Sequence, residues 1–239
     1  MRRIPALVLA LGLIALLAIG AAVALGRGGS ASNLGPRDRK PRLMLLTTLP
    51  LIFPEEFTLE SSGSKALTVL ETRYRVVPIG AADRASLAQG RLLLMAHALP
   101  QTAEALVDLD RWVRDGGRLL LLADPKLDWP SKRPLGDKLR PPPSFADTGL
   151  LAHWGLKLVK SATDGPVAAD IGPSSTTFSS PGGILAEKAG CDVEGKGLIA
   201  RCAIGRGKAT IIADADWLNV YDRPGDLQLL LRELDRLER

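Results

Sequence analysis

Three aspartates follow apolar runs of the chain, and carboxylates in such positions could do chemistry. Asp124 ends the run "RLLLLAD", and Asp214 and Asp216 end "KATIIADAD". The carboxyl ends of parallel strands carry functional side chains in open α/β folds, and three carboxylates could hold Mg²⁺. An aspartate at a strand end also opens a turn or caps the next helix through its side-chain oxygen. We expect this second, structural role, so we predict no metal site and no catalytic residue here.

Other candidate groups are few. The sequence has no G-x-S-x-G elbow, no P-loop and no G-x-G-x-x-G fingerprint between a strand and a helix, so we predict no covalent nucleophile and no cofactor. His97 ends an apolar run, where it either lines a pocket or caps the strand. Thr47 and Thr48 lie in "LTTLPLIFPEEF", residues 46–57, which either forms the wall of a ligand cleft beside Asp124 or packs onto the body. These residues and the three aspartates are the candidates for a cleft.

The elements that must position these side chains alternate along the chain. Short apolar runs predict strands at residues 42–48, 74–79, 91–97 and 118–124, and helical patterns fall between them at 63–73 and 100–117. Thr102 is the expected N-cap of the second helix. Strands that are apolar on both faces are typical of a parallel sheet covered on two sides. We therefore predict an α/β fold with a doubly wound, mostly parallel sheet.

The second half of the chain is less regular. Residues 125–145 carry six prolines and predict a long loop over the carboxyl edge of the sheet. A short helix at 145–155, a strand and short antiparallel strands follow. An antiparallel hairpin then leads into a strand at 208–214, and a helix at 226–239 closes the chain. This helix carries leucines on one side, which either cover the sheet or dock a partner chain; we expect the former. Those leucines are Leu227, Leu230, Leu231 and Leu234.

The two cysteines lie symmetrically about the predicted hairpin. A turn at Lys196 and Gly197 would place Cys191 opposite Cys202, because paired positions in a hairpin have a constant sum. A cross-strand disulfide is then possible, which would suit an oxidising periplasm. Two buried free thiols are the alternative.

The N-terminus has the pattern of a membrane segment. Residues 4–26 are 23 residues without a charge, and as a helix they would reach about 34 Å, enough to span a bilayer. A cleaved signal peptide is the alternative, because Ala22, Val23 and Ala24 have the form of a cleavage site. We predict an anchor at 1–26, a flexible basic linker at 27–41 and a single α/β domain at 42–239.

The charge is distributed unevenly. The net charge is +5, but residues 1–40 hold six of the 31 basic side chains and one of the 26 acidic ones, which leaves a neutral body. No basic excess remains to neutralise a phosphate backbone, so we predict no nucleic-acid partner. The basic linker favours a cytoplasmic body by the positive-inside rule, whereas the tether and the cysteines favour the periplasm. We predict a single-pass inner-membrane protein with a periplasmic body.

Three segments carry a resemblance to a known family. They are "GRLLLMAHALPQTAEALVDLDRWVRDGGRLLLLADP" (90–125), "TGLLAHWGLKL" (148–158) and "GRGKATIIADADWLN" (205–219). They resemble uncharacterised bacterial ABC-transport-system proteins, including the auxiliary component of gliding-motility transporters. The resemblance implies a flavodoxin-like or glutamine-amidotransferase-like domain without enzymatic activity on the outer face of the inner membrane, beside a transporter or envelope complex.

The sequence therefore favours a non-catalytic, membrane-anchored periplasmic binding or scaffolding module, with the membrane and transporter or envelope subunits as partners. The alternative is a hydrolase or amidotransferase-like enzyme that gathers Asp124, Asp214 and His97 at the carboxyl edge of the sheet. That alternative requires the three side chains to lie within roughly 10 Å of one another, since they must reach one substrate.

Overall fold

The computed structural model describes residues 40–55, 63–160, 165–172, 174–219 and 226–239. Lys40–Arg239 form one compact unit. The predicted anchor at 1–26 and the linker up to residue 39 lie outside the described residues. Within those described ranges, no helix is both long and apolar enough to cross a membrane.

The central sheet has seven strands in the described part of the chain, and two smaller sheets have two each. The strands are Arg42–Thr47 (β1), Arg75–Pro78 (β2), Leu92–Ala96 (β3), Arg118–Leu122 (β4), Leu156–Val159 (β5), Val167–Ile171 (β6), Ser174–Phe178 (β7), Gly183–Ala186 (β8), Cys191–Glu194 (β9), Ile199–Ile204 (β10) and Gly207–Ile212 (β11). The central order is β2-β1-β3-β4-β11-β10-β9. The first five strands are parallel, and β10 runs antiparallel to β11 on one side and to β9 on the other, so the predicted mostly parallel sheet with an antiparallel hairpin is confirmed.

The chain reverses its winding direction between β1 and β3. From β1 it passes to β2 on one side, and it then returns to β3 on the other side and continues outward to β4 and β11. In open α/β folds this topological switch point leaves a crevice outside the carboxyl ends of the two strands. The residues that follow β1 and β3 are therefore the ones placed at that crevice.

Five α-helices are described, and three of them, α1, α3 and α5, match predicted helices to within three residues at each end. They are Lys65–Arg73 (α1), Arg84–Leu87 (α2), Ala103–Arg114 (α3), Leu150–His153 (α4) and Asp226–Glu238 (α5). Thr102 caps α3 as predicted, because its Oγ1 accepts a hydrogen bond from the Ala105 N–H at 3.3 Å. The one-turn helix α2 was not predicted, since four residues are too few to show a helical period. Helix α4 is shorter than the predicted 145–155.

The two faces of the sheet bury alternate residues of each strand. Leu43 and Leu45 point into the core under α1 and α5, whereas Met44 and Leu46 point into the core under α2, α3 and α4. The predicted double winding is thus confirmed. Three leucines of α5 are fully buried against the sheet: Leu229, Leu230 and Leu234. The terminal helix therefore covers the sheet, as expected, and does not offer that face to a partner.

The hairpin at the edge of the sheet has the predicted register. Cys191 of β9 is paired with Cys202 of β10, and a disulfide joins them. The turn between the strands has positive φ at Gly195, Lys196 and Gly197, a conformation that glycine adopts at little cost. This explains why two of the three turn residues are glycines.

Candidate functional site

A cleft of about 420 Å³ opens at the switch point of the sheet. Thr47 and Thr48, which end or follow β1, form one wall, and Leu99, which follows β3, contributes to it. The proline-rich loop at 125–145 closes the cleft with Arg133 and Arg140. Ligands of open α/β folds bind in this position.

The two threonine hydroxyls hold the backbone of the cleft in place. Thr47 Oγ1 accepts a hydrogen bond from the Leu49 N–H at 2.9 Å. Thr48 Oγ1 donates to the carbonyl of His97 at 2.5 Å, which ties the loop after β1 to the end of β3. The threonines thus shape the cleft wall, which is one of the two roles that the sequence left open for this segment.

The rest of the lining is basic and apolar. Lys138 and Arg140 supply positive charge, and Phe53 exposes 70% of its surface beside them. Glu55 is the acidic member: its Oε2 accepts from the Lys132 N–H at 3.1 Å, and its Oε1 is buried without a hydrogen-bond partner. A negatively charged group with an apolar body matches this lining. Phe57, the second aromatic of this segment, lies outside the described residues.

The three candidate aspartates converge at the ends of two neighbouring strands. Asp124 follows β4, and Asp214 and Asp216 follow β11, its parallel neighbour. One carboxylate oxygen from each residue lies within 4.8 Å of those of the other two. Asp124 and Asp214 are fully buried, and Asp216 exposes only 3% of its surface. We call these three residues the aspartate cluster.

Backbone amides hold the first two carboxylates. Asp124 Oδ1 accepts from the Lys126 N–H at 2.8 Å, and Oδ2 accepts from the Ala215 N–H at 3.0 Å. Asp214 accepts from Ser179 and Trp217 N–H groups at 2.9 and 3.0 Å. The hydrogen bond from the Lys126 N–H to the Asp124 side chain closes the turn expected at "ADP". The Asp214 side chain caps the 3₁₀ turn Asp216–Asn219. The structural role that we expected from the sequence is therefore confirmed for both.

Asp216 has one oxygen in use and one without a partner. Its Oδ2 accepts from the Asp128 N–H at 2.6 Å and lies 3.4 Å from Ser180 Oγ. Its Oδ1 is buried and has no hydrogen-bond partner. A buried polar atom without a partner is costly and rare in folded proteins.

Burial controls the ionisation of the cluster. Desolvation raises the pKa of Asp124, raises that of Asp214 well above its usual range, and raises that of Asp216 to about 7. For Asp214 and Asp216 the negative charge of Asp124 adds to the increase. The like charges oppose one another in a medium that solvates them poorly.

His97 lies between the cleft and the cluster. It is fully buried with φ +46°, an uncommon conformation for a residue other than glycine. Its Nε2–H donates to the Pro142 carbonyl at 2.8 Å, and its ring meets that of Phe145 edge to face. Nδ1 has no partner, and burial lowers the pKa of the imidazole. His97 thus fastens the proline-rich loop to the end of β3.

The structure thus places five of the six predicted site residues in two groups, and His97 belongs to neither. Thr47 and Thr48 line the open cleft, and the aspartate cluster is a separate buried group that does not line it. The sequence interpretation missed the basic loop side chains Arg133, Lys138 and Arg140, because it considered 125–145 only as a connection. Their clustering within eight residues of a loop over the sheet edge was the available signal.

Comparisons with known proteins assign no family. No family model matches the chain, and no curated protein does. Among solved structures, the chain is similar to the exo-beta-1,4-mannosidase Op5Man5 from Opitutaceae bacterium strain TAV5 (12% identity, 82% of this chain and 34% of that chain, TM-score 0.47). It is also similar to Cytoplasmic Protein STM3548 from Salmonella typhimurium (12% identity, 82% of this chain and 98% of that chain, TM-score 0.48). A third similar structure is a ThuA-like protein from Bacteroides uniformis ATCC 8492 (10% identity, 87% of this chain and 95% of that chain, TM-score 0.47).

These likenesses carry no argument about function. The chain spans about a third of the length of the mannosidase. All three identities are far below the level at which activity can be transferred, and all three TM-scores are below 0.5.

Proposed function

We propose that this protein is a non-catalytic, membrane-anchored binding module of the bacterial envelope, and that its ligand site is the cleft at the switch point of the sheet. The observation that carries the proposal is the position of the cleft. It opens at the carboxyl ends of β1 and β3, where the winding of the chain reverses and doubly wound folds bind ligands, and both Thr47 and Thr48 line it.

The lining favours binding over catalysis. The hydroxyl of Thr48 donates to a backbone carbonyl and that of Thr47 accepts from a backbone amide, so neither is prepared as a nucleophile by an adjacent base. The described lining holds no histidine and no cysteine. The basic side chains of the loop can attract and orient an anionic group without any chemical step.

The cellular setting belongs to the same proposal. The uncharged run at 4–26 would anchor the chain, the linker at 27–41 would hold the domain off the membrane, and the body would face the periplasm. The disulfide between Cys191 and Cys202 supports an oxidising compartment. The resemblance to ABC-transport auxiliary components supports a transporter or envelope complex as the partner.

Ligand binding is tested with a matched pair of probes on the full-length protein in detergent. Benzoate carries a carboxylate on an apolar ring, and benzamide is its uncharged counterpart. We expect benzoate to bind more tightly than benzamide by calorimetry, and Lys138→Glu to weaken benzoate binding by about fivefold or more, since it reverses a charge at the cleft. Lys157→Glu, on the exposed side of β5, is the control and should change nothing. Equal binding of both probes, or none of either, would refute the proposed cleft.

The compartment is tested by labelling thiols in intact cells and in denatured lysates, with and without reduction. In an oxidising periplasm Cys191 and Cys202 are labelled only after reduction. Labelling after denaturation alone would place the body in the cytoplasm, where thiols are kept reduced.

A second candidate, a hydrolase or amidotransferase-like enzyme, is favoured by one observation. The predicted acids do gather, since the carboxylates of Asp124 and Asp214 lie within the 4.8 Å cluster and His97 interacts electrostatically with Asp124. Against it, all three side chains are fully buried. Rapid hydrolysis of an amide, ester or phosphate substrate that is lost in Asp214→Asn would establish this candidate and exclude the non-catalytic module.

A further inference from the structure

The aspartate cluster has properties that its structural role does not explain. Five of its six carboxylate oxygens accept hydrogen bonds, and each donor is an N–H or O–H group. Hydrogen bonds from amides favour the charged form of a carboxylate, whereas burial opposes it. Asp124 and Asp214 accept on both oxygens and Asp216 on one, and the three carboxylates lie within 4.8 Å of one another in residues that are at least 97% buried.

The sixth oxygen provides an independent observation. Asp216 Oδ1 is buried, has no hydrogen-bond partner, and belongs to a side chain that exposes 3% of its surface. The other oxygen of the same carboxylate is fixed by the Asp128 N–H at 2.6 Å. A carboxylate oxygen that is fixed in the interior and accepts no hydrogen bond points to a ligand that supplies positive charge.

We propose that Asp124, Asp214 and Asp216 bind one hard divalent cation, Ca²⁺ in preference to Mg²⁺, as a structural site at the carboxyl edge of the sheet. Three carboxylate oxygens are the ligands that such ions take. The surrounding amide hydrogen bonds act as the outer shell that orients carboxylate ligands around a metal. This site goes beyond the proposed ligand cleft and does not depend on it.

Oxygen spacing and burial together favour Ca²⁺. Oxygens bound to one cation lie at most two bond lengths apart, which is about 4.2 Å for Mg²⁺ and up to about 5.2 Å for Ca²⁺. The cluster oxygens lie within 4.8 Å of one another. This bound lies inside the Ca²⁺ limit, and the at least 97% burial of the three residues favours Ca²⁺ further, because Mg²⁺ usually keeps several bound waters whereas Ca²⁺ accepts protein oxygens in a flexible geometry.

The same cation would stabilise the proline-rich loop. That loop begins at the cluster, where the N–H groups of Lys126 and Asp128 donate to Asp124 and Asp216. It returns to the cluster where the Phe145 N–H donates to the Asp124 carbonyl at 2.6 Å. A cation that fixes the carboxylates fixes both ends of the loop that carries the basic wall of the cleft.

The test uses the full-length protein in detergent, stripped with EDTA, and titrated separately with CaCl₂ and MgCl₂. We expect one Ca²⁺ per chain, Mg²⁺ binding weaker by tenfold or more, and Ca²⁺ affinity at least tenfold lower in Asp216→Asn. Asp192→Asn removes an exposed carboxylate from β9 and is the matched control, so its affinity should equal that of the original chain.

A second readout follows the loop directly. Trypsin can cut after Lys138, because Lys138 and Leu139 are exposed, and Ca²⁺ should slow this cut at least threefold in the original chain but not in Asp216→Asn. The unaltered chain is tested first, so a folding defect in the variant cannot hide the result. Absence of Ca²⁺ binding to the stripped chain, or equal binding in Asp216→Asn and Asp192→Asn, would overturn the site.

Discussion

Glu233 of α5 is almost fully buried, and its carboxylate accepts two hydrogen bonds from the Arg201 guanidinium of β10, at 2.8 and 2.9 Å. The same guanidinium forms an ion pair with Glu194 of β9 at 2.5 Å. A bidentate pair of this kind links the terminal helix to the antiparallel edge of the sheet. The Arg201 and Glu233 side chains expose only 13% and 1% of their surface, and both groups are charged, which strengthens their hydrogen bonds.

Removing one member of this ion pair should destabilise the fold strongly. Arg201→Met leaves the buried Glu233 carboxylate with only its longer contact to Arg236, at 3.9 Å, which we expect to lower the free energy of unfolding by about 3 kcal/mol. Urea denaturation of the fragment Lys40–Arg239, one compact unit, measures the change. The double variant Arg201→Met/Glu233→Leu removes both charges and should recover most of the loss. A single variant that loses less than about 1 kcal/mol would contradict the buried ion pair.

The metal-free protein should lose stability as the pH rises from about 4 to about 7. Burial raises the pKa of Asp216 from 3.8 to about 7, so in this range the folded chain binds more protons than the unfolded chain, and unfolding becomes easier as the pH increases. Asp124 and Asp214 act in the same direction. His97 acts in the opposite direction, because burial lowers its pKa below 6.5.

Asp216→Asn isolates the contribution of Asp216 from those opposing effects. The free energy of unfolding of both proteins is measured in EDTA from pH 4 to pH 8. We expect it to decline with increasing pH in the original chain and to decline less in the variant. Parallel pH profiles of the two proteins would show that Asp216 ionises normally in the folded state.

Gly207 should not tolerate a side chain. A Cβ at this position would lie 1.9 Å from the Val113 carbonyl oxygen and 2.6 Å from that of Gly117, and backbone atoms cannot move aside cheaply. We expect Gly207→Ala to destabilise the fold by about 1–3 kcal/mol or more. Gly80→Ala is the control, since a Cβ there meets nothing within 4 Å. Equal urea midpoints for the two variants would show that β11 can shift away from α3.

Loss of the disulfide should weaken the hairpin edge. Cys191 and Cys202 close a loop with a sequence separation of 11, and a cross-link of this length stabilises by about 2–3 kcal/mol through the unfolded state. Cys191→Ala/Cys202→Ala should lose that amount in urea denaturation. Reductant should produce the same loss in the original chain and none in the variant. If reductant leaves the original chain unchanged, the cysteines are not bonded.

Much of the fold was predictable because the strands are buried on both faces. Runs such as "RLLLM" and "RLLLL" are apolar at every position after the arginine, which is typical of a parallel sheet covered by helices on both faces. The hairpin register followed from the symmetry of Cys191 and Cys202 about Lys196 and Gly197, and Thr102 followed from the capping preference of threonine. These features depend on neighbours in sequence, so local patterns determine them.

The site was only partly predictable. The sequence indicated that Asp124, Asp214 and Asp216 follow strands, and it favoured their role as caps and turns, which the amide hydrogen bonds of Asp124 and Asp214 confirm. It could not show that β4 and β11 are neighbours, because the chain between them is long. That pairing alone brings the carboxylates within 4.8 Å.

The sequence by itself determined the fold class, the neutral charge of the body, the hairpin register and the strand-end positions of the aspartates. Only the tertiary structure decided that Thr47 and Thr48 face an open cleft with Lys138 and Arg140, whereas the aspartates close into a separate buried cluster. The physical reason is strand order. Contacts between elements far apart in sequence depend on which strands pair in the sheet, and no local pattern of residues specifies that order.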